Sequence, residues 1–203
     1  MRITRTRTLA IAAALAVGAP VLAVSGASAQ VLCQGVPITA QVPNGGALFE
    51  GTNGDDVIFG TEGNDLIDGR GGNDIICGNQ GVDRIMGGPG KDKLNGGADK
   101  DYLFGGDDRD TLFGGDGPDV IRGGRNGDTV FGGAGADKIY GNHGRDTLLG
   151  EDGNDRVIGG VGDDELIGGG GRKDVLDGRL GNDTCSDPKP STVTFGCETE
   201  NIG

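Results

Sequence analysis

Aspartates recur at every ninth position along most of the chain, and each belongs to a glycine-rich stretch. In GGDGPDVIRGG, residues 114–124, Asp119 has counterparts at Asp110 and Asp128, nine residues before and after it. Carboxylate oxygens are hard ligands, and glycine turns let backbone carbonyls approach a bound ion. The residue types and their spacing therefore indicate a repeated site for a hard cation, if the fold brings the aspartates together.

The nine-residue period runs without a gap from residue 51 to residue 167. A ten-residue unit then covers 168–177, and a last nonapeptide covers 178–186. Position 1 is Gly and position 6 is Asp in all fifteen units, whereas position 8 is Ile, Leu or Val in fourteen of them and Cys185 in the last. Such a repeat indicates a solenoid, in which each unit stacks on its neighbours.

Each unit is expected to contain a turn and a short strand. Glycines at positions 1, 2 and 4 allow the chain to turn tightly. In the three residues that follow the aspartate, such as VIR at 120–122, the middle side chain points to the opposite face from its two neighbours. Position 8 is the aliphatic one, so these side chains are predicted to face the interior.

The pattern G-G-x-G-x-D-x-U-x, with U aliphatic, is that of the calcium-binding nonapeptide of RTX proteins. Over residues 51–186 the chain resembles this hemolysin-type calcium-binding repeat family, and it is similar to the small secreted calcium-binding proteins of actinobacteria. The resemblance implies an all-β fold, a right-handed parallel β-roll of about seven and a half coils that is capped at both ends. Two nonapeptides would complete one coil.

The resemblance also implies Ca²⁺ ions between successive turns on the same side of the roll. Asp119 would then share ions with Asp101 and Asp137, and the number of such neighbours sets a ceiling of thirteen ions. The expected metal ligands are the position-6 aspartates: Asp56, Asp65, Asp74, Asp83, Asp92, Asp101, Asp110, Asp119, Asp128, Asp137, Asp146, Asp155, Asp164, Asp174 and Asp183.

The charge of the chain agrees with cation binding. The net charge of −13 becomes −16 without the three arginines at the amino terminus, and it would be about −1 without the fifteen position-6 aspartates. Like charges that lie close together in a row repel one another unless a cation lies between them. Such acidity excludes nucleic acid as a partner, because nucleic acid requires a basic surface.

Some repeats depart from the pattern. Asp99, Asp108 and Asn126 stand at position 4, where glycine is usual, so distorted or weaker sites are expected there. The ten-residue unit GGGGRKDVLD needs a bulge to keep Asp174 and Leu176 in phase. This insertion puts the last site on its side of the roll in doubt.

The amino terminus predicts export. Basic residues precede an uncharged run at 9–24, and the small residues Ala27-Ser28-Ala29 form a cleavage site, so 1–29 is interpreted as a signal peptide. An uncleaved anchor is the alternative, disfavoured by Gly18 and Pro20. The mature chain is expected to be secreted, with no membrane span, and to comprise an N-terminal cap (30–50), the roll (51–186) and a C-terminal cap or tail (187–203).

Two of the four cysteines, Cys33 and Cys197, lie in the caps. Residues 42–50 keep the nine-residue phase, with Phe49 at position 8, but Ala47 replaces the aspartate, which suggests a cap that binds no ion. An even number of cysteines in an exported protein suggests disulfides, and four cysteines allow three connectivities. Their positions favour Cys33–Cys77 and Cys185–Cys197, one bridge at each end of the roll.

No enzymatic activity is expected. In the mature chain the repeats leave only 21 residues before them and 17 after them, which is too few for a catalytic domain. His143, the only histidine, occupies a variable turn position.

The outward side chains of the odd-numbered repeats form an ordered stripe. It contains Thr111, Phe113, Thr129, Phe131, Thr147 and Leu149. Cross-strand support between neighbouring strands explains such a stripe. A binding face for cell wall, glycan or protein is the alternative, since contiguous exposed apolar surface can mark a partner site.

Overall fold

The computed structural model describes residues 39–42, 48–188 and 192–202, and all the elements in these ranges are strands. None of the described residues forms a helix long and apolar enough to cross a membrane. The predicted signal peptide and its cleavage site, Ala47 and Cys33 lie outside the described residues.

Successive strands alternate between two parallel sheets, which we call the odd sheet and the even sheet. The odd sheet contains β1 (Ala40–Gln41), β3 (Val57–Phe59), β5 (Ile75–Gln80), β7 (Lys93–Ala98), β9 (Thr111–Asp116), β11 (Thr129–Gly135), β13 (Thr147–Gly153), β15 (Glu165–Gly169), β17 (Thr184–Asp187) and β19 (Thr199–Ile202). The even sheet contains β2 (Leu48–Glu50), β4 (Leu66–Asp68), β6 (Arg84–Pro89), β8 (Tyr102–Asp107), β10 (Val120–Arg125), β12 (Lys138–His143), β14 (Arg156–Val161), β16 (Val175–Leu180) and β18 (Val193–Phe195).

The register confirms the coil of two nonapeptides. Ile121 pairs with Leu103 on one side and with Ile139 on the other, each eighteen residues away. The fifteen strands from β3 to β17 correspond to the fifteen repeats. The prediction of an all-β parallel roll is therefore confirmed.

The core is the two rows of position-8 side chains between the sheets. All of the aliphatic ones have no exposed surface: Ile58, Ile67, Ile76, Ile85, Leu94, Leu103, Leu112, Ile121, Val130, Ile139, Leu148, Val157, Leu166 and Leu176. Cys185 continues one row at the carboxyl end, and Val42 and Phe49 pack on the core at the amino end. Phe49 pairs with Ile67, which is the register expected from its position in the repeat.

The roll continues past the last nonapeptide. Strand β18 pairs with β16 and β19 pairs with β17, both in parallel, so the segment predicted as a cap or tail contributes further strands to both sheets. The disulfide Cys185–Cys197, with the two Cα atoms 5.8 Å apart, ties this extension to the last repeat. Cys77 is also disulfide-bonded.

Most central strands are longer than the repeat pattern suggests. Strand β10, for example, includes positions 7 to 9 of one repeat and positions 1 to 3 of the next. The Cα register passes from the Arg122–Tyr140 pair to the Gly124–Asn142 pair without pairing Gly123, the position-1 glycine between them. The chain therefore bends at position 1 while the two turns remain in register, which stacks the following aspartates.

Candidate metal centre

The position-6 aspartates form two files, one along each edge of the roll where the chain passes between the sheets. All fifteen are buried, with at most 8% of their surface exposed. Within each file, the backbone N–H of one aspartate donates a hydrogen bond of 2.7–2.9 Å to Oδ1 of the aspartate in the next coil. This bond fixes each carboxylate between two successive turns.

The second carboxylate oxygen is buried without a hydrogen-bond partner in most of these residues. The oxygen is Oδ2 of Asp74, Asp83, Asp92, Asp101, Asp110, Asp119, Asp128, Asp137, Asp146, Asp155, Asp164, Asp174 and Asp183. Leaving one buried charged acceptor unsatisfied costs more than about 1–3 kcal/mol. So many of them in two files require a positively charged partner in the folded protein.

A backbone carbonyl faces most of the unsatisfied oxygens. A Cβ atom added to Gly114 would lie within 3.0 Å of both Asp119 Oδ2 and the carbonyl oxygen of Gly132, which is position 1 of the next coil. The same two kinds of oxygen converge beside Gly105 and Gly150. Position 1 must therefore be glycine, because any side chain would fill the space onto which the oxygens converge.

Burial dominates the electrostatics of the two files. It raises the pKa of Asp101, Asp110 and Asp119 from 3.8 to about 8; the hydrogen bond from the preceding aspartate lowers the pKa, and nearby carboxylates raise it. Burial likewise raises the pKa to about 7 or about 6 in Asp74, Asp83, Asp92, Asp128, Asp137, Asp146 and Asp155. The folded chain thus favours a proton or another cation at these oxygens.

The first two turns differ from the others. Oδ2 of Asp56 accepts hydrogen bonds from the backbone N–H of Thr52 at 2.6 Å and from its hydroxyl at 2.9 Å. In the second turn, Oδ2 of Asp65 accepts from the N–H and the hydroxyl of Thr61 at 2.6 Å and 3.0 Å. The repeat predicts these two aspartates as ligands equivalent to the rest. In the structure, however, donors of the protein itself satisfy the Oδ2 atom of each.

Three turns have a residue other than glycine at position 4. Asp99, Asp108 and Asn126 have φ values of 76°, 75° and 68°, which are positive like those of most glycines at this position. Asp and Asn tolerate a positive φ better than other non-glycine residues. These three turns therefore keep a positive φ at position 4, and weaker ion binding by them stays a prediction.

The ten-residue unit also keeps its aspartate in the file. The backbone N–H of Asp155 donates to Oδ1 of Asp174 at 2.8 Å, and Leu176 pairs with Val157 in the core. The additional residue is therefore accommodated before Asp174. The insertion therefore does not displace the Asp174 carboxylate from its place in the file.

Two residues beyond the last repeat extend the files, one in each, and sequence reasoning missed both. A Cβ on Gly168 would lie 2.6 Å from Oδ2 of Asp187 and 3.1 Å from Oδ2 of Asp174, so a second carboxylate replaces the usual carbonyl there. The carbonyl oxygen of Gly196 faces Asp183 beside Gly178 in the usual way. Counting nine residues on from Gly178 gives Asp187, which is the signal that could have found it. The Thr192 hydroxyl donates to Oδ2 of Asp187.

Backbone carbonyls are essential to any ion site in this arrangement. Among the residues that the structure describes, three or more His, Cys, Asp or Glu side chains nowhere converge as a metal cluster. Each site would instead combine one or two carboxylates with carbonyl oxygens. Ca²⁺ accepts this kind of mixed oxygen coordination, with six to eight ligands in flexible geometry.

Parallel stacked turns, two files of buried carboxylates and facing carbonyls define a β-roll built for hard cations. The family model for RTX calcium-binding nonapeptide repeats matches seven overlapping segments, 50–85, 78–112, 104–139, 113–148, 122–157, 140–172 and 149–185. The chain belongs to this family and is a calcium-binding repeat protein. A comparison with curated protein sequences gives no match.

The outward stripe of the odd sheet is ordered as expected. Phe113 pairs with Phe131, and their rings stack with centroids 4.9 Å apart and planes 4° from parallel. Thr111, Thr129 and Thr147 are cross-strand neighbours in one row. Each of these side chains is half-buried, because it packs on the strands beside it.

Proposed function

We propose that the protein is exported unfolded and folds outside the cell when Ca²⁺ enters the two files of aspartates. The observation that carries this proposal is the row of buried, unpartnered Oδ2 atoms from Asp74 to Asp183. Each ion would be held by a position-6 carboxylate of one coil and the position-1 carbonyl that faces it. The ion removes both the desolvation cost and the repulsion between successive carboxylates.

The composition of the core supports folding that depends on the ion. Each coil contributes one position-8 side chain from each sheet, for example Leu112 and Ile121, and the rest of the turn is mainly glycine and polar residues. Glycine loses more conformational freedom on folding than any other residue. Burial of so few aliphatic side chains would then be opposed by both chain entropy and carboxylate repulsion.

Export is supported by the predicted signal peptide at 1–29 and by the disulfide Cys185–Cys197, since disulfides persist in oxidising compartments. Extracellular calcium modules bind their ions in the range of about 10⁻⁴–10⁻³ M. Sites in that range would stay empty during synthesis and fill after secretion. The matched family model describes calcium binding and no reaction, and we propose no enzymatic activity.

Far-ultraviolet circular dichroism of the mature chain, residues 30–203, tests this function. We expect a spectrum without β structure in chelator and a cooperative transition to a β spectrum as CaCl₂ is added. The same titration with MgCl₂ is the control; it should give little structure because Mg²⁺ demands near-ideal octahedral geometry and dehydrates reluctantly. A full β spectrum in chelator would contradict the proposal.

A second candidate function is ligand binding by the outward stripe of the odd sheet. The stacked rings of Phe113 and Phe131, flanked by a row of threonine hydroxyls, form a contiguous, partly exposed apolar stripe, and such a stripe can mark a partner site. Substitution of both phenylalanines by serine should abolish retention on cell wall or glycan and leave calcium binding unchanged. Tyr140→Ser, on the even sheet, is the matched control. Unchanged retention of the double variant would exclude this candidate.

A further inference from the structure

The first coil of the roll is closed by hydrogen bonds in the places where later coils have unsatisfied oxygens. Oδ2 of Asp56 has two donors from Thr52, and Oδ2 of Asp65 has two donors from Thr61. Neither oxygen belongs to the set that is buried without a partner, which begins with Asp74 in one file and Asp83 in the other. The boundary therefore lies at the same coil in both files.

The backbone of these two turns is also different. From Arg70 onward, the residue at position 2 has a positive φ, whether it is glycine or not. Thr52 and Thr61 occupy position 2 of the first two repeats and are not among the residues with positive φ. Their N–H groups point toward the aspartate of their own turn, so the turn closes on itself.

Two further oxygens of these turns are engaged as well. Oδ1 of Asp56 accepts a hydrogen bond from the hydroxyl of Thr39 at 3.3 Å. On the other edge, the side-chain amide of Asn79 donates to the carbonyl oxygen of Gly60 at 2.9 Å. An ion at this end of the roll would have to break these bonds before it gained a ligand.

We propose that Thr52 and Thr61 determine where the two files of ions begin: the first two turns bind no calcium, and Asp74 and Asp83 provide the first carboxylates that do. This inference rests on the proposed function. In the folded roll, the first coil is then an end closed by its own hydrogen bonds, on which the calcium-binding coils stack. The residue at position 2 decides whether a turn is closed by hydroxyl and amide donors or is left open for an ion.

Matched pairs of aspartate variants test the proposal. Asn keeps an amide oxygen that can accept from Thr52 or Thr61, so Asp56→Asn with Asp65→Asn should bind as many ions as the wild type. Asp74→Asn with Asp83→Asn makes the same change one coil later and should lose about two ions. Native mass spectrometry of the mature chain in saturating calcium counts the ions, and circular dichroism confirms that each variant is folded.

A second pair of substitutions tests the threonines directly and does not depend on the folding of the aspartate variants. Thr52→Gly with Thr61→Gly gives the first two turns the residue that central turns have at position 2, and this variant should bind about two more ions than the wild type. An unchanged ion count would overturn the proposal, as would a loss of two ions in the Asp56 and Asp65 variant. If the wild type bound no calcium at all, the proposed function itself would be wrong.

Discussion

The first two turns and the turns from Asp74 onward have the same repeat but satisfy their carboxylates in different ways. In the first two, threonine donors at position 2 satisfy Oδ2 within the turn. In the later ones, Oδ2 is buried and has no donor. A backbone carbonyl of the next coil lies beside Oδ2 in both kinds of turn, as at Gly51 and Gly114, so only the donors differ. One nonapeptide pattern can therefore build either a hydrogen-bonded turn or an ion site. The residue at position 2 of the repeat determines which of the two kinds of turn is formed.

Removal of calcium is expected to have the largest effect, because it acts on every open turn at once. In excess chelator at neutral pH, amides from β5 to β17 should lose their protection against hydrogen exchange, measured by mass spectrometry. The first two turns are too small to remain folded alone, so their protection should also fall. Persistent protection of the central peptides in chelator would show that the two kinds of turn do not differ in their need for ions.

Acidification should partly replace calcium in the open turns. The pKa of Asp101, Asp110 and Asp119 is about 8 in the folded protein and 3.8 in an exposed carboxyl, so protonation favours the folded state. The stabilisation is complete below about pH 3.8 and is lost as the pH rises through about 8. Circular dichroism of the protein in chelator should show a gain of β structure as the pH falls from 8 to 4. Steady loss of structure over this range would contradict the expectation.

Alanine at two equivalent glycines should separate the two kinds of turn. Gly117 has a φ of 131°, and a Cβ there would lie within 3.0 Å of the Asp99 carbonyl oxygen, so Gly117→Ala should cost at least about 2 kcal/mol. A Cβ on Gly54, also at position 4, would contact only the Thr52 hydroxyl at 3.8 Å, so Gly54→Ala should change stability by less than about 1 kcal/mol. Urea unfolding in saturating calcium measures both, and equal losses would count against the distinction.

A smaller loss than that of Gly117→Ala is expected when the threonine hydroxyl itself is removed. Thr52→Val removes the donor at 2.9 Å from Asp56 Oδ2 but keeps the backbone N–H donor, so it should cost about 1 kcal/mol. Because no ion is involved, the loss should be the same at every calcium concentration at which the roll is folded. Thermal unfolding at two saturating calcium concentrations measures it. A loss that varied with calcium would link Thr52 to an ion site.

Much of the fold could be predicted because the repeat is local and regular. The alternation of side chains along a three-residue strand placed Ile121 inside, and the eighteen-residue coil paired it with Leu103 and Ile139. The disulfide Cys185–Cys197 was predicted from the positions of the cysteines and is confirmed. The extension of both sheets beyond Ser186 was not predicted, because that segment does not keep glycine and aspartate at the positions that mark a repeat, and Asp187 stands where the position-1 glycine would be.

Within the candidate site, the sequence by itself determined which residues lie in the two files, since every position-6 aspartate occurs at one phase of a fixed period. Only the tertiary structure decided which of their oxygens remain free. Whether Thr52 reaches Asp56, or Asp187 faces Asp174, depends on the path of each turn and on the coil stacked against it. Thr52 and Asp56 stand at positions 2 and 6 of one repeat, like their counterparts in every other repeat, but only the backbone path of their turn brings them into contact.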